Sequence, residues 1–127
     1  MGLNAQIRTD ALGNITIYMN GDLSYDYNSK LRDEIIQISD THPHSTITLD
    51  MHSLDFVGSS GISKFVELLK DLNKKNPTRY KISNIKNEFL RVFEIYNFNA
   101  YDMLANEFDS DDTNMPSLTK RGKTFPN

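Results

Sequence analysis

Residues 54–69, LDFVGSSGISKFVELL, run an apolar stretch into the turn Gly58-Ser59-Ser60-Gly61 and then straight into a helical pattern. Upstream, STITLDM alternates, with Ile47, Leu49 and Met51 on one face and Thr46, Thr48 and Asp50 on the other. That period of two predicts a strand. Downstream, Ile62, Phe65, Val66, Leu69 and Leu72 form a wide apolar stripe at helical spacing, and Asn76-Pro77 closes it. A strand that passes directly into an amphipathic helix argues for crossover connections, and hence for a largely parallel sheet.

The same change of period recurs along the chain. Residues 5–9 and 15–19 predict two strands joined by residues 10–14, where Gly13-Asn14 supplies hairpin turn chemistry. From Ser24 to Ser39, Tyr27, Leu31, Ile35 and Ile38 mark one buried helical face, ended by His42-Pro43. TRYKISNI, 78–85, predicts a further strand. Phe89, Leu90, Phe93 and Tyr96 predict a third helix that stops near Asn97, a residue tolerant of the left-handed cap conformation. The expected order is β-β-α-β-α-β-α. The expected fold is α/β: a small, mostly parallel sheet of four to five strands, opened by an antiparallel hairpin, with helices packed against it.

With 127 residues and 38% hydrophobic side chains, the chain can bury one core. We expect one domain over 1–108 and a polar, mobile tail over 109–127, where an acidic run is followed by basic residues and two prolines. The balance of 14 Lys+Arg against 17 Asp+Glu, net −3, offers no broad basic surface for nucleic acid or anionic lipid. The N-terminal residues lack a signal-peptide pattern, and no run reaches the ~20 apolar residues of a membrane span. A cytoplasmic protein without direct membrane insertion is expected. The absence of cysteine excludes disulfides and thiolate metal sites.

The Gly-Ser-Ser-Gly turn fits few catalytic templates. A phosphate-cradling loop needs Gly immediately before the Lys of GxxxxGK[ST], whereas Ser63 precedes Lys64. A nucleophile elbow needs GxSxG, and the turn has no room for its final spacer. One of Ser59 and Ser60 is expected to cap the following helix, with Gly58 and Gly61 easing the tight turn. Elsewhere, Pro43 between His42 and His44 prevents helical presentation of a histidine pair, with His52 some way off. A calcium loop starting at Asp109 would need Gly and Glu where Asn114 and Lys120 stand. Phe89, Phe93 and Tyr96 have the spacing of a packed face rather than of a base-stacking platform. No catalytic pair, metal site or cofactor is indicated, and a binding module is expected instead of an enzyme.

The segment DFVGSSGI, with LDM upstream and an amphipathic helix downstream, resembles the signature turn of STAS domains, the anti-sigma factor antagonist family, commonly D-S-[ST]-G followed by a hydrophobic residue. NGDLSYDYNSKLRDEI resembles the family's second strand, Gly-x-Leu turn and first helix. ISNIKNEFLRVFEIYNF resembles its fourth strand and following helix, so the likeness covers about residues 5–104. The resemblance implies a partner switch without an enzymatic role of its own. An anti-sigma factor or related serine kinase would bind the unmodified domain and phosphorylate the second hydroxyl of the turn, Ser60, with Ser59 as the alternative. Binding would free a sigma factor, and a phosphoserine phosphatase would reset the switch. The implied contact surface comprises Asp22, Ser24, Tyr25, Asp26, Gly58, Ser59 and Gly61. In this chain Gly58 stands where the family commonly has an acidic residue, and Ser24 where an Asp commonly follows Gly-x-Leu. The alternative reading is a STAS interaction or scaffold module that works without phosphorylation, in a signalling complex or beside a transporter.

Overall fold

The computed structural model describes residues 3–105. The segment 109–127, expected to form a tail, lies outside the described residues, as does the acidic run at Asp109. The element order is β1 (Leu3–Thr9), β2 (Ile15–Leu23), α1 (Tyr25–Thr41), β3 (Ile47–Phe56), α2 (Gly58–Lys75), β4 (Tyr80–Ser83), α3 (Asn87–Ile95) and a short 3-10 turn over Ala100–Met103. One four-stranded sheet has the order β1-β2-β3-β4, with β1 antiparallel to β2 and the remaining pairs parallel. The hairpin is closed by Asp10, whose Oδ1 accepts the N–H groups of Leu12 and Asn14, and by Gly13 at φ 87. That positive φ is the conformation glycine reaches without a Cβ penalty.

Alternation along the strands sorts the two faces of the sheet. Ile15, Ile17, Met19, Ile47, Leu49, Met51 and Ile82 are buried, and they share one core with Leu31 and Ile35 of α1, Phe65 and Leu69 of α2, and Phe89 and Phe93 of α3. Phe56, Phe65, Phe89, Phe93 and Phe98 pack in a chain of tilted and edge-on rings with centroids 4.9–6.5 Å apart. The aromatic spacing of α3 is therefore core packing. The opposite face of the sheet is polar and lines an open hollow of about 790 Å³ with Gln6, Arg8, Tyr18, Asn20, Asp50 and His52 among its walls. Asp50 is buried there. Its carboxylate accepts hydrogen bonds from Asn84 Nδ2 at 2.7 Å, Ser83 Oγ at 3.4 Å and the His52 N–H at 2.9 Å, which satisfies it without an ion pair among the described residues.

Three strands run further than their hydrophobic pattern predicts, β1 beginning at Leu3 instead of residue 5. β2 continues through Asn20-Gly21 to Leu23, and β3 continues past Met51 to Phe56. Tyr18 pairs with Asp50 but Asn20 pairs with Ser53, so β3 holds one residue more than β2 across this step. The irregularity resets the alternation: after Met51, the next fully buried residue on β3 is Leu54, three positions on. β4 is shorter than its predicted segment. α3 ends as expected, with Asn97 at φ 59.

Candidate functional site

β2 and β3 end side by side, with Leu23 opposite Phe56. From those two adjacent ends the chain enters α1 and α2, so both helices begin at the same end of the sheet. At the first exit Ser24 has extended backbone, φ −94 and ψ 169, and its Oγ accepts the Tyr27 N–H at 3.2 Å, an N-cap on α1. At the second exit the Val57 N–H donates to the Leu23 carbonyl at 2.9 Å, and the backbone then reverses at Gly58 with φ 70. A non-glycine side chain would find open space there, so only the backbone conformation restricts position 58.

Neither Ser59 nor Ser60 caps α2, contrary to the sequence expectation. Val57 occupies the N-cap position with no side-chain hydrogen bond, and both serines already lie in the first helical turn. Both are exposed, and neither Oγ makes a hydrogen bond among the described residues. The first turn of α2 contains no acidic residue. The Ser60 hydroxyl thus stands at the positive end of an 18-residue helix, accessible and without a proton-accepting side chain bonded to it.

A buried clamp ties the two exits together. Asn28 of α1, 2% exposed, donates from Nδ2 to the Ser24 carbonyl at 2.8 Å and to the Gly61 carbonyl at 3.3 Å. Its Oδ1 is buried without a hydrogen-bond partner. Gly61 is itself buried, and a Cβ there would fall 2.6 Å from the Leu23 carbonyl oxygen. Among the implied contact residues Gly61 therefore presents no surface; it lets the first turn of α2 press against the end of β2.

The other implied residues lie at the first chain exit, where β2 passes into α1. Asp22 is half-buried at the end of β2, Ser24 is half-buried and engaged as a cap, and Tyr25 and Asp26 are exposed at the start of α1. Tyr25 is 52% exposed, and Lys64 of α2 places Nζ 5.5 Å from its ring centroid while pairing with Glu67 at 3.4 Å. Val57, also 52% exposed, adds an apolar side chain next to Gly58. Asn28, Val57 and Lys64 were not singled out from the sequence. Asn28 had a readable signal, since it is a polar residue at the start of the spacing 28, 31, 35 that buries α1. No group of three or more His, Cys, Asp or Glu side chains suited to a metal ion occurs among the described residues. No helix of the described residues is long and apolar enough to cross a membrane.

The STAS domain family model matches residues 4–110. No curated protein matches the chain at a significant level. Among solved structures, the Bacillus cell fate determinant SpoIIAA in its phosphorylated form aligns at TM-score 0.57 and 19% identity, covering 87% of this chain and 98% of that one. The anti-sigma factor antagonist SpoIIAA in its unphosphorylated form aligns at TM-score 0.52 and 20% identity, over 72% of this chain and 83% of the other. At these identities the likeness is one of fold.

Proposed function

This chain belongs to the STAS domain family, and on that premise we propose that it is a partner-switching module of the anti-sigma factor antagonist type. It is a regulatory binding domain in this reading. The two chain exits at the end of the sheet form the docking surface, with Asp22, Ser24, Tyr25, Asp26, Gly58 and Ser59 around Ser60 as the phosphoacceptor. An anti-sigma factor or related serine kinase in the cytoplasm docks there and phosphorylates Ser60, and a phosphoserine phosphatase restores the hydroxyl.

The observation that carries this reading is the placement of Ser60: exposed, free of side-chain bonds, and in a helix first turn with no acidic residue. A phosphoserine there adds about −1.5 to −2 charges near neutral pH beside unpaired N–H groups, so the domain tolerates the modification. A partner packed on a neutral hydroxyl does not. The added bulk, charge and desolvation oppose docking. Tyr25 supplies the aromatic anchor of that surface, in line with the weight aromatic side chains carry in interfaces. The SpoIIAA structures, one phosphorylated and one not, support the reading through the shared fold.

The test combines phosphosite mapping by mass spectrometry of protein purified from its native cells with partner capture by wild type, Ser60→Ala and Ser60→Asp. Phosphate on Ser60 is expected, together with retention of the partner by Ser60→Ala and a loss of about tenfold or more by Ser60→Asp, a difference of ~1.4 kcal/mol. Equal capture by both variants and no phosphate at Ser60 or Ser59 would instead identify a phosphorylation-independent interaction module.

A further inference from the structure

The sheet has two edges, and the chain treats them differently. At β4, Leu104 bridges Ile82 in parallel and the Ala105 N–H donates to the Ile82 carbonyl at 2.9 Å. At β1 no strand among the described residues pairs with the outer side. Asn4 to Thr9 are all exposed, and the strand has no proline, no lysine and no bulge against β2, the usual means of blocking an edge.

Hydrogen-bond alternation identifies the free groups. Asp10 N–H bonds to the Asn14 carbonyl at the turn, so Arg8–Thr16, Gln6–Tyr18 and Asn4–Asn20 are the pairs that exchange bonds within the hairpin. Ala5, Ile7 and Thr9 then aim N–H and C=O outward. The contact of Tyr27 Oη with the Leu3 carbonyl, 3.5 Å, agrees with that phase. Beside this edge lies a mainly apolar groove of about 260 Å³, where Ala5, Ile7, Ile17 and residues of α1 meet, with Glu34 and Gln37 also in its lining. Ile7 stands over it, 53% exposed.

We propose that β1 is a homodimer interface, in which two copies pair β1 with β1 antiparallel about a two-fold axis at Gln6 and join their sheets edge to edge. Self-complementarity favours a second copy over a foreign strand. With Gln6 on the axis, Ile7 of each copy faces Ala5 of the other, a large side chain beside a small one over the apolar groove. Arg8, the only charge in the strand, faces Asn4, so no like charges lie opposite each other within the paired strands. The outward N–H and C=O groups of Ala5 and Ile7 pair with their counterparts.

Sedimentation equilibrium of the full chain measures this directly, with an expected mass of twice the 14.6 kDa chain. Ile7→Lys places a blocking charge on an already exposed position and should halve that mass while the far-UV circular dichroism is unchanged. Register is read by cysteine coupling, since the chain has no cysteine of its own. Gln6→Cys brings the two thiols together at a non-hydrogen-bonded pair with Cα atoms ~4.5 Å apart, and mild oxidation should yield a covalent dimer. Asn4→Cys leaves its two copies about four residues out of register, on the order of 13 Å, and should not couple. The proposal is overturned by a monomeric wild type up to about 1 mM, where association would be weaker than ~4 kcal/mol. It is equally overturned by an Ile7→Lys variant that stays dimeric, or by Asn4→Cys coupling as readily as Gln6→Cys. Capture of a different protein by a wild type that remains monomeric would mark β1 as a heterologous docking edge and reject self-pairing.

Discussion

A single missing methyl group governs how closely the two chain exits approach. At Gly61 a Cβ would meet the Leu23 carbonyl oxygen at 2.6 Å, and that oxygen is backbone, already bonded to the Val57 N–H. The obstacle cannot swing aside as a flexible side-chain end would. Gly61→Ala should therefore destabilise the domain by about 1–3 kcal/mol, the range of overpacking substitutions, measured by urea unfolding. An unchanged midpoint would show that α2 can lift from β2 at no cost. The need for glycine at 61 was legible in the sequence only as turn chemistry; the close approach responsible for it depends on which strand lies alongside. The same holds for Asn28. Its polarity on an apolar stripe was visible, whereas its two carbonyl partners come from segments that meet only in the folded chain.

At the scale of elements, α2 begins differently from a helix capped by serine. A cap residue needs extended backbone and precedes the first turn, and Val57 holds that place with φ −98 and ψ 101. Both serines therefore present their hydroxyls outward from within the first turn. Negative charge at Ser60 should favour the helix macrodipole: Ser60→Asp is expected to be more stable than Ser60→Ala by about 0.3–1 kcal/mol at low ionic strength, a gap that narrows with added salt. Thermal melts of the two variants at two salt concentrations check this. A less stable Ser60→Asp would mean that modification strains the domain itself. The helical faces were legible because their period runs unbroken. β3 was legible only to Met51, because the extra residue opposite Met19 shifts the phase before Leu54 and hides the rest of the strand from a period-two reading.

Over the whole molecule, the buried hydrophobic side chains of the described residues lie between Leu3 and Met103, and the alternation of strands and helices was enough to anticipate their layering. What could not be anticipated was the location of each edge, since no local pattern states which strand lies outermost. A chain ending at Phe108 is expected to unfold cooperatively at the same temperature as the full chain, by differential scanning calorimetry. A fall of about 4 °C or more, equivalent to ~1 kcal/mol at this size, would assign residues 109–127 a share in the core's stability. The difference between the two sheet edges has a wider consequence. Among the described residues Leu104 and Ala105 engage Ile82 on the outer side of β4, whereas no strand pairs with the outer side of β1. Because pairing of β1 with β1 about a two-fold axis uses the same edge in both copies, that union closes at two chains and does not by itself propagate into a fibre.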